Sequence, residues 1–424
     1  MSDWAPSGDG GRQDPGGTGA RATRVVHAGL PPASQGAPFL PGPTLAAPYH
    51  LIGPRDASPF GYGRDANPTW TGYEAALGEL ERGEAVLFGS GLAAVAAVLL
   101  PMLAPGDVVV VPSDGYPAVR QLALEQLRPR GIEVRVIATD ADAITAALPG
   151  ATLAWIETPS NPGLAVLDVA ALAAAAHAEG VLLAVDNTLA TPLLQRPLEL
   201  GADLSVASAS KALTGHSDLV LGYIAAADPA VAEQTRLWRN MTGAIAGPFE
   251  AWLAHRSLAT LDVRHERQCA NALALAEVLA ARGDVNDVRY PGLPQDRGHA
   301  LAARSFGGAR FGGVLCFDLG SEARAQAFLA AARLIAEATS FGGVHSSAER
   351  RLRWGMDDVS PGFIRMSAGI EAAEDLVADI CGARSTRPRA EPGRRRPGLS
   401  FVDAKSHRRC TSVGRCRDTP GAAA

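Results

Sequence analysis

From Glu84 onward the chain alternates short apolar, β-rich runs with alanine- and leucine-rich stretches of helical length. Residues 85–88, 108–111, 134–138, 153–157, 181–185, 204–207 and 220–225 read as strands. Residues 92–100, 116–127 and 169–179 read as the helices between them. A strand–helix rhythm of this kind predicts a mostly parallel, doubly wound α/β sheet with helices on both faces. Such sheets bind ligands at the carboxyl ends of their strands. The residues just past those ends are therefore the first candidates for a site.

The flanking segments differ. Residues 1–20 are polar and glycine-rich and read as a disordered leader. Residues 21–62 carry six prolines between Pro31 and Pro48 and read as an extended arm. A helix is expected from Thr71 to Glu81. Residues 63–255 would form the large domain. Beyond it, a long helical stretch over 248–282, strands at 314–319 and 364–367 and helices at 323–332 and 372–380 predict a smaller α/β C-terminal domain over 256–383. Residues 384–424 read as a disordered arginine-rich tail. From residue 386 that tail holds nine arginines and one lysine against three acids, and its one aromatic is Phe401. Aromatic partners for bases are thus lacking, and no nucleic-acid partner is expected. The four-residue stretch Arg350-Arg351-Leu352-Arg353 reads as a solvated loop.

Composition narrows the class. Apolar residues make up 47% of the chain, charged residues 20%, and the net charge is −5, as in soluble globular proteins. The longest apolar helix candidate, 92–103, is too short to span a membrane and is interrupted by Pro101. No apolar targeting segment opens the chain. A cytoplasmic protein without a membrane partner is expected. The five cysteines are scattered without metal-binding spacing, so no metal is expected.

Lysine is nearly absent. Only Lys211 and Lys405 occur, and the other 37 basic residues are arginine. Arginine stays protonated, whereas a lysine of lowered pKa forms imines. Lys405 lies in the tail, which leaves Lys211 as the candidate covalent amine. It follows the 204–207 strand and is flanked by Ser208 and Ser210. Upstream, Val181-Leu182-Leu183-Ala184-Val185 runs straight into Asp186. An aspartate at the end of a buried strand needs a cationic partner, and a pyridinium nitrogen is one. Gly89-Ser90-Gly91-Leu92 opens a helix after a strand, where the amides of Gly91 and Leu92 suit a phosphate. A phosphate turn, a strand-end aspartate and a near-unique lysine point together to pyridoxal 5′-phosphate.

With those residues in view, the chain resembles the Cys/Met-metabolism pyridoxal-phosphate enzymes over roughly residues 44–383. The segments that carry the resemblance are Tyr62-x-Arg64-x-x-Asn67-Pro68-Thr69, Ser90-Gly91-Leu92, Asp114-x-Tyr116 and Glu157-Thr158-Pro159-Ser160-Asn161-Pro162. They continue through Asp186-Asn187-Thr188, Ser208-x-Ser210-Lys211, Ser340-Phe341-Gly342-Gly343 and Ile364-Arg365-Met366-Ser367. The resemblance implies the fold of fold-type-I pyridoxal-phosphate transferases. Lys211 would anchor the cofactor and shuttle protons. Asp186 would pair with the ring nitrogen, and Gly91, Leu92, Ser208 and Ser210 would hold the phosphate. Tyr116 would stack on the ring and act as acid or base at the leaving group. Arg365, Asn161 and Ser340 would bind substrate. Tyr62 and Arg64 would reach the cofactor of a neighbouring subunit, implying a homotetramer built from dimers.

The implied activity is γ-elimination of cystathionine to cysteine, 2-oxobutanoate and ammonia. The alternative is a γ-replacement transferase, either a cystathionine γ-synthase or a homoserine sulfhydrylase. Methionine γ-lyase is disfavoured because Pro117-Ala118 follows Tyr116 where those enzymes carry a cysteine. Thr339 and His345 stand where many relatives carry glutamate, which bears on how the distal amino group of a substrate is held.

Overall fold

Prolines and short polar side chains set where the main helices begin. The computed structural model describes residues 20–383. The expected tail and all but the last residue of the expected leader lie outside the described residues. Asn67 accepts a hydrogen bond from the Thr69 amide and Pro68 takes the first helical position, so the helix Pro68–Glu81 begins three residues before the expected Thr71. Proline there loses no bond that the helix would have made. Ser90 caps Gly91–Leu99 and Asp168 caps Val169–Ala178. Asp228 caps Pro229–Thr242, a helix not anticipated above. The 248–282 stretch is two helices, Pro248–Leu258 and Leu261–Ala280, rather than one.

Seven strands form the first sheet: β1 Glu84–Phe88, β2 Val108–Pro112, β3 Glu133–Ile137, β4 Leu153–Glu157, β5 Leu182–Asp186, β6 Leu204–Ala207 and β7 Gly222–Ala226. Their order is β1-β7-β6-β5-β4-β2-β3. β3, β2, β4, β5 and β6 run parallel, and β7 is antiparallel to both β6 and β1. The sheet is thus mostly parallel, as expected. β2 and β4 are buried at every position, because helices cover both faces. Val109 and Val111 pack with Val95, Val98 and Leu99 on one face. Val108 and Val110 pack with Leu172 and Ala173 on the other.

A second sheet contains β8 Asp287–Arg289, β9 Val314–Asp318, β10 Ala336–Glu337, β11 Ser347–Arg350 and β12 Phe363–Ser367, in the order β10-β11-β12-β9-β8. Only the β10–β11 pair is parallel. Its core joins Phe317, Ile364 and Met366 of the sheet to Leu275 and Leu279 of Leu261–Ala280 and to Phe328 and Leu376. No helix among the described residues is long and apolar enough to cross a membrane. No cluster of three metal-ligating His, Cys, Asp or Glu residues occurs among them either.

Candidate active site

β4, β5 and β6 end at Glu157, Asp186 and Ala207, and their carboxyl ends open into a cavity of about 650 Å³. Residues 336–351 and Arg365 close it from the side of the second sheet. Ten of the twelve expected site residues line this one space: Gly91, Leu92, Tyr116, Asn161, Asp186, Ser208, Ser210, Lys211, Ser340 and Arg365.

Lys211 sits in a turn held from below. The Gly215 amide donates to the Lys211 carbonyl at 2.8 Å. The buried Arg264 guanidinium donates to the carbonyls of Ala212 and Leu213 at 2.7 and 3.1 Å. One helical turn on, Gln268 donates to the carbonyls of Gly342 and Gly343. A single helix face therefore braces both the lysine turn and the turn that faces it. Gly342, at φ +81°, is pressed so close that a Cβ there would stand 2.5 Å from the Ala212 amide nitrogen.

The Lys211 amine donates to the Ser340 hydroxyl at 2.6 Å and stands 5.0 Å from the centre of the Phe341 ring. Burial, together with the nearby Arg365 charge, lowers its pKa to about 8. The sign is that of a cation losing solvation, so the neutral, nucleophilic amine gains as pH rises through 8. At pH 8 about half of Lys211 would be neutral, against roughly 0.3% of an ordinary lysine. Reductive trapping of an aldehyde on cofactor-free protein should accordingly follow a midpoint near 8 when modification of Lys211 is read by peptide mass. A midpoint above 10 would refute the environment described.

Asp186, the last residue of β5, is buried, and its carboxylate accepts from the Thr188 amide at 3.0 Å. Burial raises its pKa, against the Thr188 hydrogen bonds and the Lys211 charge. Its register partner across the β4–β5 pair is Glu157, a residue that received no role above although it too ends a buried strand. Glu157 accepts from the Tyr116 amide at 2.5 Å. Burial first, then the neighbouring Asp186, pushes it well above the usual carboxylate range. Two adjacent buried carboxyls do not both ionise cheaply, so Glu157 holds the Tyr116 backbone while Asp186 is left to meet a cation. Tyr116 precedes the helix Pro117–Leu122, whose first position again accommodates proline. Its side chain remains 45% exposed at the cavity wall.

The Ser90 hydroxyl accepts from the Ala93 amide, leaving the first-turn amides of Gly91 and Leu92 without intrahelical partners. A Cβ on Gly91 would lie 2.8 Å from the Ser208 Cβ, so only glycine lets this helix end approach the lysine segment. Ser208 lines the cavity beside it. Ser210 also lines the cavity, but its hydroxyl donates to the Leu221 carbonyl and accepts from the Leu221 amide.

Arg365, in the middle of β12, donates to Asn161 Oδ1 at 2.7 Å, to Glu349 Oε1 at 2.5 Å and to the Ser340 carbonyl at 3.3 Å. Ser340 holds φ at +80°, a left-handed conformation that costs about 1–3 kcal/mol outside glycine and clusters at functional sites. The expected solvated loop at 350–353 needs correction at Arg351. That side chain is 5% exposed, lines the cavity and pairs with Glu349 and Asp357 at 2.6 and 2.7 Å. Loop spacing gave no sign of this, because the partners that bury it come from β11 and from a residue six positions on.

Tyr62 and Arg64 do not line the cavity. The Arg64 guanidinium lies 5.3 Å from the centre of the Tyr62 ring and 3.5 Å from Asp65, in an exposed arm.

The donor set suits pyridoxal phosphate. An amine of lowered pKa meets an aldehyde, a buried carboxylate lacking a full cation meets a ring nitrogen, and a helix end that excludes any Cβ meets a phosphate. Residues 23–384 match the sequence profile of the Cys/Met metabolism PLP-dependent enzymes. The chain is 55% identical over 366 residues to a Streptomyces coelicolor protein named "Putative cystathionine gamma-lyase", covering 85% of this chain and 92% of that one. It is 41% identical to the cystathionine gamma-lyase of Bacillus subtilis, over 75% and 87% of the two chains. Among solved structures, it resembles cystathionine gamma synthase from Xanthomonas oryzae in complex with aminoacrylate and cysteine, with a TM-score of 0.82 and 35% identity over 86% of this chain and 98% of that one. Profile, relatives and fold agree with the chemistry of the cavity, and the chain belongs to the Cys/Met metabolism PLP-dependent enzymes.

Proposed function

We propose that this chain is a carbon–sulfur lyase that eliminates the γ-substituent of cystathionine, giving cysteine, 2-oxobutanoate and ammonia. The observation that carries it is the pairing of an amine and a guanidinium across one small cavity. Lys211 Nζ and the Arg365 guanidinium each stand 5.0 Å from the centre of the same Phe341 ring. A substrate whose carboxylate meets Arg365 would thus bring its Cα within reach of Lys211. The names of the relatives above support the lyase reading.

Bound cofactor supplies an electron sink conjugated to the substrate Cα. Lys211 and Asp186 would hold it, with Gly91, Leu92 and Ser208 at the phosphate end and Tyr116 against the ring. Freed by the substrate amine, the neutral Lys211 Nζ would take the Cα proton, hand that proton on to the conjugated system, and so be neutral again to take one from Cβ. The Tyr116 hydroxyl delivers a proton to the departing sulfur. Arg365 and Asn161 fix the carboxylate, which keeps the reacting carbons in line with the lysine. Tyr116→Phe is expected to lower kcat by about 100-fold, the low end of the usual worth of a positioned acid, while the cofactor stays bound. Unchanged kcat would remove Tyr116 from this role.

A second reading is γ-replacement on an activated homoserine. Two cavity residues favour it: Thr339, whose hydroxyl donates to Glu349, and His345. Neither offers a carboxylate to the distal ammonium of cystathionine. Incubation with cystathionine alone, and separately with an acylated homoserine plus cysteine, decides between the two. Lyase activity predicts a 2-oxo acid in the first mixture and little cystathionine in the second. The reverse pattern would establish the transferase.

The exposed Tyr62–Arg64 arm supports completion of the site by a second copy, within a cytoplasmic homotetramer built from dimers. The separate cores of the two sheets support a division into a cofactor domain over 63–255 and a C-terminal domain over 256–383.

A further inference from the structure

We propose that Glu349 is a positioning residue for substrate binding: its carboxylate fixes the Arg365 guanidinium in the orientation that receives the substrate carboxylate. This rests on the reading of Arg365 given above. Glu349 lies on β11 directly opposite Arg365 in the β11–β12 register and is 1% exposed. Unlike Arg365 and Arg351, it does not line the cavity, so it backs the clamp from behind rather than competing for its ligand.

Four donors converge on its two oxygens. Oε1 accepts from Arg365 at 2.5 Å, from Arg351 at 2.6 Å and from the Thr339 hydroxyl at 3.3 Å. Oε2 accepts from the Trp354 indole at 2.9 Å. An ionised carboxylate has about four lone-pair sites, so its position is fully determined. Arg351 is in turn held by Asp357. Two guanidiniums thus share one oxygen. Without the carboxylate they would be adjacent buried cations, and Arg365 would turn away from Arg351. Because Glu349 divides its charge between them, Arg365 keeps the capacity to take a further anion.

The test compares two ligands that differ only in a carboxylate, L-norvaline and n-butylamine, each titrated into the cofactor-loaded enzyme by its visible absorption. Glu349→Gln keeps the size of the side chain and removes its charge. It is expected to weaken norvaline about tenfold and to leave butylamine within about twofold, the scale of a lost charge-assisted hydrogen bond. KM for cystathionine should rise about tenfold with kcat within about threefold. On an Arg365→Ala background the same change should have no further effect on norvaline, the non-additivity expected of two groups acting as one. Glu349→Asp, which keeps the charge but withdraws it, provides a second variant and should lose the norvaline preference in the same sense. If Glu349→Gln and Glu349→Asp leave the norvaline-to-butylamine ratio at the wild-type value, or weaken both ligands equally, the inference is overturned. If Arg365→Ala alone leaves that ratio unchanged, the clamp itself is misassigned and the inference falls with it.

Discussion

Replacing Lys211 by alanine is expected to lower kcat by at least about 10³-fold, the scale seen when a covalent catalytic group that also carries protons is removed. The proposed mechanism gives this lysine both tasks. Burial and Arg365 lower its pKa to about 8, which frees the amine, and its Nζ stands at the cavity wall 2.6 Å from Ser340. The chain's only other lysine is Lys405, so no second lysine of the described fold can substitute. Lys211→Arg separates charge from chemistry. It keeps a cation over Phe341 but cannot form the imine, and it should be as inactive as the alanine variant. Borohydride reduction of the wild type should fix the cofactor to residue 211, read by peptide mass, and both variants should lose that attachment. Turnover within tenfold of wild type in either would contradict the assignment.

Arg365→Ala is the second large effect, expected at about 10²–10³-fold in kcat/KM and mostly in KM. A guanidinium fork with a carboxylate is among the strong charge-assisted contacts, and its loss also frees the substrate to rotate away from Lys211. The variant should be less stable as well. Removing one partner of a buried ion pair typically costs about 3–5 kcal/mol. Glu349 retains Arg351, so the low end of that range is expected, read as a fall in the thermal midpoint. Arg365→Lys should recover stability better than activity, because an ammonium supplies charge without the fork. A variant with unchanged KM would show that the substrate carboxylate binds elsewhere.

Much of this site was legible in the sequence for reasons that the fold explains. Lys211 stood out because an arginine-based chain retained an amine there. Asp186 and Gly91 stood out because a parallel sheet delivers its strand ends and helix starts to one edge. The β2 and β4 runs announced themselves through continuous apolar residues. What was missed depends on tertiary pairing. Arg351 and Asp357 carry no periodicity, and only their contact with each other and with Glu349 buries them. β8, β10 and β11 are short and polar, Asp287-Val288-Arg289 being typical, and they are strands because β9 templates β8, β12 templates β11 and β11 in turn pairs with β10. Ser210 reads like Ser208 in sequence, yet its hydroxyl is paired with Leu221. The resemblance supplied the roles of Tyr116, Asn161 and Arg365. Geometry added Glu157, which the strand-end pattern marks as it does Asp186, and Glu349, which no local pattern marks.

The proposed reaction breaks the carbon–sulfur bond at Cγ. Its most direct test is to supply the cofactor-loaded enzyme with cystathionine and identify the 2-oxo acid formed by mass. Cleavage at Cγ leaves a four-carbon skeleton, and 2-oxobutanoate with an equal amount of cysteine is expected. Pyruvate with homocysteine would mean that the bond on the other side of sulfur is broken, and it would contradict the account.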